Sequence, residues 1–197
     1  MTVKEATRER ILKVTKELLN KEGIGSLSIR KIASEAGVNV ASINYHFGSK
    51  NKLLFECMKD VVEKLEKTLL IFDDDSLSEE DRVKIYLYNV ADVIINDAAI
   101  QASMSKTFVS DIEFPDVLIQ FIARFYRRFK EFLENYLKIH DEEILSMIVE
   151  QTISAIWFPI ISYKTSIKIT GIDFKEEDTR KKYIDLLVEN IKGRVRE

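Results

Sequence analysis

The stretch that decides the fold spans residues 28–50 and reads SIRKIASEAGVNVASINYHFGSK. Ser28 and Asn39 each precede a short run with an apolar side, and both residue types are favoured helix N-caps because their side-chain oxygens accept backbone N–H bonds. The segment 36–39 between the two runs contains Gly37, a residue type that commonly ends helices. Two short helices joined by such a turn are typical of a helix-turn-helix, which we predict over about residues 28–47.

Longer helices are predicted on both sides of this motif. Upstream, an apolar stripe indicates a first helix over about residues 5–21 that ends at Gly23. Downstream, Ser49 is placed to cap a fourth helix, which we expect to continue unbroken through residue 69. Further helices are predicted at about 78–100, 102–111, 116–138, 141–164 and 176–194, with an irregular segment at 165–174. The predicted fold class is all-α, with a three-helix helix-turn-helix domain over residues 1–54 and a helical domain over residues 55–197.

The composition narrows the class of protein. Only 6 Gly and 2 Pro occur in 197 residues, and 46% of the residues are hydrophobic, which together favour long helices and exclude a disordered chain. A single cysteine, Cys57, excludes a disulfide framework, and two histidines leave a metal site almost no ligands. We therefore expect neither a metal nor a cofactor. No apolar run approaches the roughly 18 residues of a membrane span, so we expect a cytoplasmic protein without a membrane partner.

The charge is divided unequally along the chain. Residues 1–54 hold 10 basic and 5 acidic side chains, whereas residues 55–197 hold 20 basic and 28 acidic ones. This asymmetry indicates a basic head that meets a polyanion and an acidic body that does not.

The third helix, predicted over residues 40–46, has two unlike sides. Ile43 and Phe47 are spaced for burial on one side. The outward positions carry small or hydrogen-bonding side chains, namely Ala41, Ser42, Asn44 and Tyr45. Such groups suit a helix that reads base edges in the major groove, where an asparagine can pair bidentately with adenine. The same pattern also fits a solvated helix with ordinary polar residues.

The start of the fourth helix favours the DNA interpretation. Lys50 and Lys52 lie in its first turn, where the helix dipole disfavours each cation by roughly 0.3–1 kcal/mol. A DNA phosphate at this position would reverse the sign, because free amides and ammonium groups would converge on an anion. Tyr45 and His46 stand just before this turn and can donate to phosphate oxygens. For His46, a partly buried histidine at a helix end is an equally simple interpretation.

Residues 6–54 as a whole resemble the tetracycline-repressor (TetR) family, because the N-cap, the turn, the triplet Tyr45-His46-Phe47 and the pair Ser49-Lys50 follow the family's order and spacing. The resemblance implies a homodimeric transcriptional regulator with an all-helical body. It further implies that the protein is usually a repressor, which a small-molecule effector releases from a palindromic operator in double-stranded DNA.

The resemblance also assigns roles by position. It implies that Ser28 contacts phosphate, that residues 39–42 form the reading end of the third helix, and that Tyr45, His46 and Lys50 form a phosphate clamp. The predicted DNA-binding residues are Ser28, Asn39, Val40, Ala41, Ser42, Asn44, Tyr45, His46 and Lys50. Asn44 departs from the family, which more often has an aromatic residue there, so the base preference of relatives does not carry over.

The body contains a run, residues 152–163, that is largely apolar on every side. A helix of this kind must be covered on more than one face. We predict that one face closes the body's own core and that the other meets a second copy, together with the last helix. The predicted dimer-interface residues are Ile156, Ile160, Tyr163, Leu187 and Ile191. A single crowded core is the alternative.

An effector pocket is predicted near Pro159, because a proline inside a helix removes a backbone hydrogen bond and can leave space between helices. The predicted lining comprises Asn89, Met104, Phe108, Phe121, Arg124, Phe125, Met147, Gln151 and Trp157. These side chains suggest a largely apolar ligand, although an aromatic stripe of this kind is also typical of an ordinary core.

Two other classes of function compete with a regulator. An enzyme is disfavoured because the sequence has no Gly-rich phosphate loop, no paired histidines for zinc and no Gly-framed serine nucleophile. We therefore predict no enzymatic activity and no catalytic residue. A helical ligand-binding or interaction protein that has lost operator binding is the other alternative, and the presence of Tyr45, His46 and Lys50 argues against it.

Overall fold

The protein is all-α in a computed structural model that describes residues 2–98, 100–102 and 116–193. Ten helices with defined bounds occur in those ranges: α1 (Val3–Glu22), α2 (Ile29–Glu35), α3 (Val40–Phe47), α4 (Lys50–Cys57), α5 (Lys59–Thr68), α6 (Glu79–Asn96), α7 (Asp116–Leu137), α8 (Glu142–Ile161), α9 (Tyr163–Thr170) and α10 (Glu177–Gly193). Short 3-10 turns lie at Ile24–Ser26 and Leu69–Asp73. The predicted fold class is confirmed, while the helix expected at 102–111 lies almost wholly outside the described residues.

The chain divides into two compact units. One contains Met1–Val62 and Asp97–Phe121, and the other contains Glu63–Asn96 and Ile122–Glu197. Helices α1 to α4 belong to the first unit, which we call the head, and α6, α8, α9 and α10 belong to the second, which we call the body.

The head is built on helices that begin where the sequence predicts. Ser28, Asn39 and Ser49 each accept the backbone N–H three residues later through a side-chain oxygen, at 3.1, 2.8 and 3.2 Å. Helix α1 packs on α2 and α4, and α3 packs on α2 and α4. The side chains enclosed between them, each no more than 1% exposed, include Ile11, Leu19, Ile32, Ile43 and Leu53. This small apolar core holds α3 with one side turned outward.

Two predictions about helix continuity are wrong. The expected unbroken fourth helix is interrupted at Met58, whose N–H is shared between the carbonyls of Leu54 and Phe55 at 3.2 and 3.1 Å. The bond to Phe55 spans three residues, as in a 3-10 helix, and α5 begins at the next residue, Lys59. The segment 165–174, expected to be irregular, is helical through Thr170 and ends at Gly171, whose φ of 73° is left-handed.

In the body, α6, α8 and α10 pack against one another. Pro159 lies inside α8 and has no N–H, so the carbonyl of Ala155 loses its usual helical donor. The hydroxyl of Tyr183 on α10 donates to that carbonyl at 2.8 Å. Arg180, also on α10, is buried and donates to the carboxylate of Asp92 on α6 at 2.9 Å. These two polar contacts fix α10 against its neighbours.

Helix α8 is also long and apolar enough, by length and composition alone, to cross a membrane. Core helices of globular proteins pass the same test. Six residues of α8 are buried in the body, namely Leu145, Ile148, Val149, Thr152, Ile156 and Ile160. The apolar character of α8 is therefore accounted for in part by the core that it closes.

Candidate nucleic-acid interface

Helix α3 presents the outward side that its sequence predicts. Ile43 and Phe47 are buried against the rest of the head, whereas Ala41, Asn44 and Tyr45 are exposed. Val40, Ser42 and His46 are half-buried at the borders of this outer surface. The exposed side thus combines a small residue, an amide and a phenol, which are groups that can approach base edges and phosphates.

Asn39 has a structural task in addition to its predicted one. Its Oδ1 atom accepts the backbone N–H of Ser42 at 2.8 Å and lies 3.0 Å from the Ser42 hydroxyl oxygen, which donates to it. The cap oxygen is therefore committed to the first turn of α3. The side chains of Ala41 and Asn44, in contrast, are exposed.

Lys50 is held by the head itself. Its Nζ atom donates to the main-chain carbonyl of Leu27 at 3.1 Å, in a half-buried position. Because Leu27 immediately precedes the N-cap of α2, this bond joins the beginnings of α2 and α4. An ammonium group has three donors, so two remain for an outside acceptor. The intramolecular bond also offsets part of the dipole penalty that the sequence alone attributes to this lysine.

Lys52 is placed differently from Lys50. It is exposed, and a Cβ added to Gly48 would lie 3.7 Å from its Cδ and 3.9 Å from its Nζ. The ammonium therefore lies beside the glycine that ends α3. A cation is favourable next to the C-terminus of a helix, where unpaired carbonyls carry partial negative charge.

Two basic residues of α1 contact the triplet at the end of α3, and sequence reasoning missed both. The Nζ of Lys4 lies 4.9 Å from the ring centroid of Tyr45, and the guanidinium carbon of Arg8 lies 5.1 Å from that of Phe47. Arg8 also forms an ion pair with Glu56 on α4. Their spacing of four residues places both on one side of α1, which is the signal that could have found them.

The remaining candidates for a reactive or metal-binding site are Cys57 and clusters of acidic, histidine or cysteine side chains. Burial raises the pKa of the Cys57 thiol to about 12, which makes the nucleophilic thiolate form scarce at neutral pH. No cluster of three or more His, Cys, Asp or Glu side chains that could hold a metal ion occurs among the described residues.

Comparison with known proteins identifies this helical head. The family model of the bacterial regulatory proteins of the tetR family matches residues 11–57. The HTH-type transcriptional regulator BetI of Vibrio parahaemolyticus is 34% identical over 65 residues, which make up 33% of each chain. The probable HTH-type transcriptional regulator YttP of Bacillus subtilis is 36% identical over 67 residues, or 34% of this chain and 32% of that protein.

Residues 11–57 of the chain therefore match the tetR family over the helix-turn-helix. The aligned stretch covers about a third of the length of these relatives. The residues matched by the family model contain the helix-turn-helix. Over a greater length, the fold agrees with that of a solved structure, the transcriptional regulator FadR of Bacillus subtilis in complex with stearoyl-CoA. The TM-score is 0.61 at 14% identity, with 91% of this chain and 97% of that chain covered. A likeness at this identity shows a shared fold for the body.

The body contains a groove of about 590 Å³ between α8 and α10. The groove is lined by Ile148, Gln151, Thr152, Ala155, Leu187, Glu189, Asn190, Ile191 and Gly193. Of the residues predicted to line an effector pocket, Gln151 is in this lining.

The other predicted pocket residues occupy varied environments. Asn89, Phe125 and Trp157 are half-buried, Phe121 is buried, and Met147 is exposed. Arg124 is exposed and pairs with Glu66 at 3.2 Å. Met104 and Phe108 lie outside the described residues. The pocket assignment stays a prediction for these positions.

Two of the predicted dimer residues, Ile156 and Ile160, lie on α8 and are buried. Ile156 and Ile160 are each 2% exposed, so their side chains are already covered within their own chain. Ile191 is also buried, and Tyr163 and Leu187 are half-buried. The outer side of α8 instead exposes Ile144, Met147 and Phe158, and α10 exposes Leu186. An all-round apolar helix hides which side faces the core, because that choice depends on the neighbouring helices.

Proposed function

We propose that this chain is a homodimeric transcriptional repressor that binds a palindromic operator and leaves it when a small, largely apolar effector binds the body. The observation that carries this proposal is the outward side of α3, with Ala41, Asn44 and Tyr45 exposed beside the lysines at the start of α4. The relatives BetI and YttP are transcriptional regulators by name. The protein would act in the cytoplasm, without enzymatic chemistry.

In the DNA complex, we assign reading and positioning to different side chains. Asn44 and Ala41 would contact base edges from the exposed side of α3, with Val40 and Ser42 at its border. Ser28, Tyr45, His46 and Lys50 would contact phosphates and fix the register of α3 in the major groove. Asn39 would support the reading end as the cap of the helix, because its oxygen is engaged with Ser42.

A second copy would cover the exposed apolar side of α8 and α10. Met147, Phe158 and Leu186 are all more than half exposed, and the groove between the two helices lies alongside Leu187. A two-fold dimer buries the same surface twice and presents two heads to two half-sites, which matches a palindromic operator. Ile156 and Ile160 are not part of this proposed surface.

The effector proposal rests on the body's fold. FadR of Bacillus subtilis, which shares that fold, was solved with stearoyl-CoA, a ligand with a long apolar chain. We propose an apolar effector here too, with Asn89, Phe125 and Trp157 as pocket candidates. Asn89, Phe125 and Trp157 are half-buried, so part of each side chain is accessible to a ligand.

Fluorescence anisotropy with DNA from upstream of the protein's own gene tests the proposal. We expect nanomolar to micromolar binding to one palindromic segment and weaker binding to a scrambled segment of the same length. Light scattering on the same sample should give the mass of a dimer. Equal affinity for the palindrome and the scrambled DNA, or a tight monomer, would contradict the proposed function and favour an interaction protein without operator binding.

A further inference from the structure

The first turn of α1 borders the exposed end of α3. The ammonium of Lys4 lies 4.9 Å from the centroid of the Tyr45 ring, and Tyr45 is 70% exposed. Lys4 is exposed as well. The two side chains therefore form one surface. Of the two, only Tyr45 is among the DNA-binding residues predicted from the sequence.

This turn of α1 is locally ordered by a reciprocal cap. The hydroxyl oxygen of Thr2 accepts the N–H of Glu5 at 3.2 Å, and the carboxylate of Glu5 accepts the N–H of Thr2 at 2.7 Å. The carboxylate of Glu5, the nearest acid in sequence, is thereby directed at the backbone of the cap. The tyrosine ring holds the ammonium through the negative potential of its face.

We infer that Lys4 is a further DNA-backbone contact, which acts together with Tyr45 and extends the interface from the helix-turn-helix to α1. This inference rests on the proposed function, because it requires DNA at the outward side of α3. A phosphate that accepts the Tyr45 hydroxyl lies at the edge of the same ring whose face carries the Lys4 ammonium. The pair can therefore supply a donor and a positive charge to one stretch of the DNA backbone.

The chain offers a matched control on the same helix. Lys13 is another lysine of α1, and it lines a separate groove with Glu9, Glu56 and Asp60. Substitution of Lys4 or Lys13 by alanine removes the same charge from the same helix. The two variants differ in whether the ammonium lies beside Tyr45, so long-range charge and local contact can be separated.

The first measurement is the dependence of DNA affinity on salt for the full-length protein, Lys4→Ala and Lys13→Ala. Counterion release predicts that loss of one phosphate contact makes the slope of log K against log salt shallower by about 0.9 per subunit. We expect this change for Lys4→Ala, with a loss of about tenfold in affinity that is the same on operator and scrambled DNA. Lys13→Ala should retain the slope of the parent protein. An unchanged slope for Lys4→Ala, or equal changes for both variants, would overturn the inference.

The second measurement is a double-mutant cycle of Lys4→Ala with Tyr45→Ala. If the two side chains act on one phosphate, the double variant should lose clearly less affinity than the product of the two single losses. If the affinity loss of the double variant equals the product of the two single losses, Lys4 and Tyr45 act independently and the inference that they share a phosphate is overturned. Circular dichroism and light scattering on each variant check that helix content and mass are unchanged.

Failure of the proposed function gives a different result from failure of this inference. A parent protein that binds operator and scrambled DNA equally would contradict the repressor proposal whatever Lys4 does. A parent protein that selects its operator while Lys4→Ala keeps the full salt slope would retain the repressor proposal and remove Lys4 from the interface.

Discussion

The outer surfaces of α3 in the head and α8 in the body expose opposite kinds of side chain. On α3, the exposed residues are Ala41, Asn44 and Tyr45, which are small, polar or capable of donating a hydrogen bond. On α8, the exposed residues include Met147 and Phe158, which have little to offer a polar partner. Burial of apolar area stabilises association by about 25 cal/mol per Å², whereas DNA recognition depends on charge and directional hydrogen bonds. The polar side of α3 therefore favours a polar, charged partner, whereas the apolar side of α8 favours an apolar protein surface.

The largest effects are expected when a charge is placed on each side of α8 in turn. Ile156→Glu would bury an unpaired carboxylate in the body and should lower the free energy of unfolding by more than about 4 kcal/mol. Phe158→Glu places the same charge on the exposed side, so it should leave a folded monomer with greatly weakened operator affinity. Thermal unfolding and light scattering measure both outcomes. A folded monomer from Ile156→Glu together with an intact dimer from Phe158→Glu would reverse the assignment of the two sides.

Removal of the amide from the reading surface should give the next largest effect. Asn44→Ala should cost roughly 1–3 kcal/mol on the best operator and relax one position in each half-site, because a base-edge contact is lost. The slope of log K against log salt should stay the same, since the amide carries no charge. Anisotropy titrations over a series of operator variants measure both quantities. Loss of affinity that is equal on every sequence would assign Asn44 to the DNA backbone instead.

A substitution inside the body tests whether a neighbouring helix supplies the donor that Pro159 removes. Tyr183→Phe leaves the Ala155 carbonyl without the hydroxyl that now reaches it at 2.8 Å, and should cost about 1–3 kcal/mol of unfolding free energy. Tyr126→Phe is the matched control, because its hydroxyl donates to the carbonyl of Ser146, at a point where α8 has no proline. Urea denaturation should show a clearly smaller loss for the control. Equal losses would show that the missing helical donor has no special cost.

A smaller effect is expected from Lys50→Ala. The variant loses the bond to the Leu27 carbonyl and one proposed phosphate contact, so affinity should fall on all DNA sequences alike. The salt slope should become shallower by about 0.9 per subunit. A reduced affinity with the full salt slope would mean that Lys50 supports the start of α2 and makes no phosphate contact.

The smallest effect is expected at Cys57. Burial raises the pKa of this thiol to about 12, so the reactive thiolate is scarce at pH 8. An alkylating reagent should leave the folded protein unmodified and react on addition of denaturant, as mass spectrometry would show. Rapid alkylation of the native protein would contradict the buried position.

The fold of the head could be predicted in detail because its signals are local. Ser28, Asn39 and Ser49 each bond a backbone N–H only three residues away, so the caps depend on neighbours that the sequence places beside them. The buried pair Ile43 and Phe47 follows from helical periodicity in the same way. These features determine which side of α3 is exposed, and hence which residues can meet DNA.

Local signals also explain the errors in helix continuity. The residues around Met58 favour helix on both sides, and nothing nearby in the sequence marks Met58 as the residue at which the α-helical hydrogen bonding is interrupted. Thr170 and Gly171 show the reverse case, in which a glycine ended a helix that was expected to be absent. Helix propensity and hydrophobic periodicity predict where the helices of this protein lie better than they predict where a helix is interrupted.

The sequence by itself therefore determined the all-α class, the helix-turn-helix and the exposed side of α3, since each depends on residues within a turn or two of one another. Tertiary structure alone decided which side of α8 closes the core, because a helix that is apolar all round has no preferred inner side until α6 and α10 pack on it. It likewise brought Lys4 to Tyr45, Lys50 to Leu27 and Tyr183 to Ala155. Each of these contacts joins residues far apart in the chain, so the physical reason for it exists only after folding.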